Sequence, residues 1–126
     1  MPPQALIVED DAITARLLAG IIETEGFDVD VAGDGEVALE MLAAKNYSVI
    51  LLDIVLPKLS GTAVMEHLRA TNPQLLERVI VVTGLDVAEI RALFPTVKLA
   101  LSKPVLPARL RATVRSYASG FDSIVA

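Results

Sequence analysis

The 126-residue sequence has no cysteine, no tryptophan, and only two tyrosines and three phenylalanines. It also lacks an apolar run approaching membrane-spanning length, and its opening residues MPPQALIVEDD lack the basic start and long apolar stretch of a signal peptide. These absences lead us to expect a soluble cytoplasmic protein that does not act at a membrane. Positive charge is also scarce: 11 Lys and Arg face 16 Asp and Glu, a net charge of -5. Nucleic-acid phosphates would repel such a surface, so a nucleic-acid partner is not expected. Apolar residues nevertheless make up 53% of the chain. With so few aromatics, the core must be Ala, Val, Ile and Leu, which favours helices packed on a parallel sheet.

The length suits one domain. Short apolar runs predict strands over Ala5–Val8, Ser48–Asp53, Arg78–Thr83 and Val97–Ser102, and the alternating Phe27–Ala32 predicts an edge strand. Helical periodicity fills the gaps. Ala12–Glu25 has apolar rows Ile13, Leu17, Ile21 and Leu18, Ile22, with Asp11 placed to cap its start and Gly26 its end. Further helices are expected over Glu36–Lys45, Thr62–Ala70, Val87–Phe94 and Ala108–Ala118, the last behind Pro107. Alternating strands and helices with long connections imply an open, doubly wound parallel α/β sheet. Residues 5–118 would form the core of a single domain spanning 1–126, with 119–126 as a tail.

Ligands of such sheets lie outside the carboxyl ends of the strands. There the sequence places Glu9, Asp10 and Asp11 after the first strand, Asp53 after the third, Thr83-Gly84 after the fourth and Ser102-Lys103-Pro104 after the fifth. Converging carboxylates demand protonation or a cation, and hard oxygen ligands suit Mg²⁺. A cation, a lysine and a hydroxyl around a carboxylate fit a phosphoryl group, with an aspartate able to attack phosphorus. Asp11 precedes a helix directly and reads as its cap. Asp53 does not, because Ile54-Val55-Leu56-Pro57 follows it. A haloacid-dehalogenase-type phosphatase would want a second acid where Val55 stands, and flavin binding would want a polar phosphate loop where the first acids stand. His67, the sole histidine, reads as a surface residue. Arg91, Lys98, Arg109, Arg111 and Arg115 read as a solvated face, in preference to a helix start at Arg109 and Arg111 that docks an acidic partner.

The motifs LIVEDD with Arg16 following, LLDIVLPKLSG, VVTG and LSKPV, in this order at four strand ends, resemble the receiver domain of two-component response regulators. The resemblance runs from about Leu6 to Ala118 and is similar to a stand-alone branch with a Thr-Gly motif. It implies a flavodoxin-like, five-stranded parallel sheet of order 2-1-3-4-5 flanked by five helices. It also implies that Asp53 accepts a phosphoryl group from a histidine kinase or histidine phosphotransfer protein. Glu9, Asp10, Asp53 and the backbone carbonyl of Val55 would hold Mg²⁺, and Thr83 and Lys103 would bind the phosphoryl oxygens. Such a protein catalyses only its own phosphorylation and dephosphorylation, and the kinase would dock near Ile13, Arg16, Leu17, Pro104 and Val105. No output domain is visible, so protein contact, phosphorelay or membership of a longer chain would carry the signal.

Three departures from the family pattern stand out. Ala100 occupies a position where receivers commonly carry an aromatic, and the segment between Thr83 and Lys103 is short. A receiver-like module that works without phosphorylation is the alternative that the missing aromatic leaves. In the phosphoacceptor reading, the segment after Thr83, residues 84–96, would carry the conformational change. Finally, Val55 and Leu85 are apolar where polar groups could guide water, which implies slow autodephosphorylation.

Overall fold

The computed structural model describes residues 2–95, 97 and 99–125, with side chains described up to residue 118. Thr96 and Lys98, which fall in the expected switching segment and fifth strand, lie outside the described residues. Five strands, β1 (Gln4–Val8), β2 (Asp28–Ala32), β3 (Val49–Leu52), β4 (Val79–Thr83) and β5 (Leu99–Ser102), form one sheet. All neighbours run parallel in the order β2-β1-β3-β4-β5, as the resemblance implied. Five helices connect and flank them: α1 (Ala12–Glu23), α2 (Gly35–Ala44), α3 (Gly61–Thr71), α4 (Val87–Leu93) and α5 (Pro107–Val125).

The strand sequences explain their places. β3 and β4 are buried at every position because helices cover both faces of the sheet centre. β2, with its polar Asp28 and Asp30, sits at the edge where alternation is tolerated. One core layer packs Leu6, Ile50, Leu52, Val64, Met65 and Val81 on one face of the sheet. The other packs Ile7, Ile22, Leu51, Ile80, Leu110 and Val114.

Element boundaries shift by one or two residues at several ends, β5 starting at Leu99 rather than Val97, and three departures tell more. α1 ends at Glu23, two residues before Glu25, yet Gly26 adopts the left-handed φ of 88° expected of a residue that turns the chain out of a helix. A 3-10 helix over Pro73–Arg78, which the sequence reading passed over, links α3 to β4. The residues expected as a tail continue α5 to Val125, since Gly120 weakens a helix by only about 1 kcal/mol relative to Ala and no proline follows it. Among the described residues no helix is long and apolar enough to cross a membrane.

Candidate functional site

The site forms at the carboxyl end of the sheet because parallel register brings the ends of β1 and β3 side by side. Val8 pairs with Leu52 in that register. The chain then continues the ladder for one more residue on each side: the Glu9 N–H donates to the Ala32 carbonyl at 3.0 Å and the Asp53 N–H to the Val8 carbonyl at 3.1 Å. Both carboxylates are thus carried on backbone that the sheet fixes. Glu9 and Asp53 are 4% and 7% exposed, whereas Asp10 faces solvent.

Glu9, Asp10 and Asp53 each offer a carboxylate oxygen, and the three oxygens lie within 4.8 Å of one another. Asp11 does not join them. Its side chain accepts from the Thr14 N–H at 3.0 Å and from the Thr14 hydroxyl, and it caps α1 as the sequence suggested.

Lys103 reaches the cluster from the end of β5. Its Nζ donates to Glu9 Oε1 at 2.7 Å and to Asp53 Oδ2 at 2.9 Å, so one ammonium bridges two carboxylates. The sequence reading put Lys103 beside the acids but gave no sign of the direct bond to Glu9. The remaining oxygens are held by backbone: Glu9 Oε2 accepts from the Asp11 N–H at 3.2 Å and Asp53 Oδ1 from the Val55 N–H at 3.1 Å. Among the described residues no buried side-chain polar atom lacks a partner.

The electrostatics follow from burial. Desolvation raises the Glu9 carboxyl above the usual carboxylate range, the hydrogen bonds from Lys103 and the Asp11 amide oppose this, and Asp53 adds to the rise. Desolvation alone would lower Lys103, but its hydrogen bonds to Asp53 and Glu9 outweigh it and leave the ammonium above its ordinary value. More acid than one lysine can neutralise is held in a small volume, which fits a hard divalent cation.

Thr83 is fully buried at the end of β4. Its hydroxyl oxygen accepts from the Leu85 N–H at 3.1 Å, which leaves its own O–H to donate, and its carbonyl accepts from the Lys103 N–H at 2.9 Å. Val55 and Leu85 are 62% and 47% exposed on the loops that follow Asp53 and Thr83.

The loop after β3 is shaped by a close approach at Gly61. A Cβ on Gly61 would lie 2.2 Å from the Asp53 carbonyl oxygen and 2.6 Å from Ile54 Cα, and the Gly61 N–H donates to the Ile54 carbonyl at 2.9 Å. Only glycine allows α3 to start this close to Asp53. The visible signal was Leu-Ser-Gly directly before a helical pattern. His67 is exposed on α3, as expected.

Known proteins resemble this chain in sequence and fold. The family model described as the response regulator receiver domain matches residues 5–115. A transcriptional regulatory protein of Haemophilus influenzae, a CpxR homolog, is 32% identical over 123 residues, covering 94% of this chain and 53% of that protein. The chain spans about half of that relative's length. The receiver domain of the Francisella response regulator 1452 superposes with a TM-score of 0.82 at 30% identity, covering 94% of this chain and 98% of that one. A CheY-like receiver domain protein from Methanospirillum hungatei superposes at 0.84 with 25% identity over 98% of each chain. The family model spans most of the chain and the fold superposes on solved receiver domains: the chain belongs to the response regulator receiver domain family.

Proposed function

We propose that this receiver domain is a phosphoacceptor switch in which Asp53 takes a phosphoryl group from a phosphohistidine of a histidine kinase or histidine phosphotransfer protein. The observation that carries this reading is the buried Asp53 carboxylate, bonded by the Lys103 ammonium and clustered with Glu9 and Asp10. In the transfer an Asp53 carboxylate oxygen forms a bond to phosphorus as the histidine nitrogen–phosphorus bond breaks. The electron pair of that bond stays on the imidazole, which regains a neutral or protonated form as the partner releases it. Lys103 is placed to balance negative charge on the phosphoryl oxygens, and the Thr83 O–H to donate to one of them.

Glu9, Asp10 and Asp53, with the Val55 carbonyl, are the residues we assign to Mg²⁺. When bound, the ion supplies positive charge to the phosphoryl oxygens and makes the acid cluster tolerable. The chain catalyses only its own phosphorylation and dephosphorylation on this reading. On this reading the exchange takes place in the cytoplasm.

The partner face is supported by exposed apolar residues next to the site. Ile13 and Leu17 on α1 are 73% and 64% exposed. Beside them a groove of about 480 Å³ is lined by Leu17, Ile21, Pro104, Val105 and Pro107, and it shares Lys103 with the acid cluster. A partner seated there would bring its phosphohistidine to Asp53.

Labelling with a small-molecule phosphodonor tests the assignment. Incorporation is expected with Mg²⁺, to be lost on chelation and in Asp53→Asn. Equal labelling of Asp53→Asn would overturn it.

A further inference from the structure

The turn between β2 and α2 meets the candidate site at two points. At its start, the Ala32 carbonyl accepts from the Glu9 N–H at 3.0 Å, the bond that fixes the backbone of one carboxylate. At its end, Asp34 caps α2: its side chain accepts from the Val37 N–H at 2.9 Å and its carbonyl from the Ala38 N–H at 3.1 Å. Gly35, the first residue of α2, is buried against the loop that leaves Asp53. A Cβ there would lie 2.1 Å from the Leu59 carbonyl oxygen, 2.8 Å from Leu59 Cβ and 2.9 Å from the Leu59 carbonyl carbon. Two of these three atoms are backbone, so no side-chain rotation makes room. A Cβ on Gly33, in the same turn, would meet nothing within 4 Å.

The loop is built to transmit what happens at Leu59. Pro57 fixes its own φ, and the Leu59 N–H donates to the Pro57 carbonyl at 2.8 Å, closing a three-residue turn around Lys58. Lys58 takes a left-handed φ of 65°, a region that a lysine enters at a cost, so its surroundings press the loop into this path. Leu56 and Leu59 both pack against the core. Lys58 Nζ also stands 3.6 Å from Asp34 Oδ2, but with the lysine side chain 62% exposed this pair is a weaker tether than the backbone contact. From Leu59 back to Val55 the chain therefore has little freedom to absorb a displacement.

We propose that Gly35 is a positioning residue for the cation: by letting the Leu59 carbonyl rest on the start of α2, it sets the path of the loop and holds the Val55 carbonyl where Mg²⁺ would meet it. This rests on the assignment of the Val55 carbonyl to Mg²⁺. A methyl group at position 35 would push Leu59 away by roughly 1 Å before ordinary contact is restored. If the turn yields instead, the displacement passes to Ala32 and to the Glu9 backbone bonded to it. Mg²⁺ tolerates neither shift well, because it demands near-ideal octahedral geometry with short bonds to oxygen. Gly61 fixes the loop where it enters α3, and Gly35 fixes the bend before it.

The test is a Mg²⁺ titration of the full chain followed by amide NMR, in the native protein, Gly35→Ala and Gly33→Ala. Gly35→Ala is expected to shift the amides of residues 54–61 without metal and to bind Mg²⁺ about tenfold more weakly, while Gly33→Ala binds like the native protein. Alanine favours a helix more than glycine does, so weaker binding could not come from a weakened α2. A merely structural role would lower the urea midpoint of Gly35→Ala and leave the affinity of its folded form unchanged. Should Gly35→Ala fold poorly, exchange in the native protein reads the same coupling in reverse. Saturating Mg²⁺ should slow the Val37 and Ala38 amides, which close the turn, about tenfold, and Lys45 at the far end of α2 less. Native affinity in Gly35→Ala, equal weakening in Gly33→Ala, or unchanged exchange at Val37 and Ala38 would overturn the inference and leave the metal assignment standing. Failure of the native protein to bind Mg²⁺ would overturn that assignment and this inference with it.

Discussion

Removing the Lys103 ammonium while keeping most of its stem, as in Lys103→Met, isolates the electrostatic role of this residue. Glu9 and Asp53 would keep their places with carboxylate oxygens within 4.8 Å and no cation between them. Two unit charges at that separation repel by ~3 kcal/mol at an effective dielectric of about 20. The Lys103 side chain is 31% exposed, so water reaches the cluster and the net loss should be nearer ~2 kcal/mol. With a urea slope of about 2 kcal/mol/M, the unfolding midpoint should fall by about 1 M in metal-free buffer, with the slope unchanged. Mg²⁺ should stabilise the variant more than the native protein, because the ion no longer competes with the ammonium for the same oxygens. At a concentration about 100 times its dissociation constant the ion adds ~2.7 kcal/mol, enough to close the gap. A midpoint shift below about 0.3 M, or equal stabilisation of both proteins by Mg²⁺, would refute the view that Lys103 and a metal neutralise one shared cluster.

The contact at Gly61 predicts that Gly61→Ala forces the loop after β3 away from Asp53. Equilibrium unfolding should show a loss of about 1–3 kcal/mol together with slower phosphoryl labelling. Asp30 accepts from Lys45 Nζ at 2.9 Å and from the Tyr47 hydroxyl at 2.7 Å, and these bonds lower its carboxyl below the ordinary value. A depressed folded value contributes stability above the unfolded value, lost as pH falls through the folded one. Asp30→Asn should therefore cost about 0.5–1 kcal/mol at pH 7, a cost that shrinks as pH falls below the ordinary carboxylate value, by urea titration at each pH. Because Val55 and Leu85 put apolar side chains at the mouth of the site, the phosphorylated protein should lose its label slowly, and Val55→Asn with Leu85→Glu should speed the loss. Phosphorylation should alter amide exchange over residues 84–96, and unchanged exchange there would place the conformational response elsewhere.

The parts of this structure that could be read from sequence are those that local chemistry and the sheet determine together. The apolar run Val49–Leu52 could only be a buried strand, and a buried parallel strand must end with its next residue at the ligand face. That put Asp53 in place, and the same logic put Glu9, Thr83 and Lys103 at the ends of β1, β4 and β5. Asp11 was assigned correctly because a cap answers to the three residues after it. What stayed hidden depends on contacts distant in sequence. The bond from Lys103 to Glu9 spans 94 residues. The approach of Gly61 to the Asp53 carbonyl depends on the path of the loop, and the seven residues between them leave that path undetermined. The 3-10 helix of Pro73–Arg78 is held by local bonds and by burial of Leu76 with Leu75 packed against the same core, two adjacent apolar residues that show no periodicity.

On the proposed reading, the charge at Asp53 and the segment that responds to it are joined by one hydroxyl. Thr83 Oγ1 accepts from the Leu85 N–H, and Leu85 stands in the loop that leads to Asp86 and α4. On the proposed reading, turning the Thr83 hydroxyl toward a phosphoryl oxygen loosens its hold on Leu85 and frees the start of a helix only seven residues long. Such a helix has little stability of its own, since nucleation costs more than so few internal bonds return. Its place is held chiefly by Ile90, buried against the core, with Phe94 packed just beyond its end. The space beside it at Ala100 holds no large side chain to relay the change. On the proposed reading, the response therefore runs through backbone, from Thr83 to Leu85 to α4.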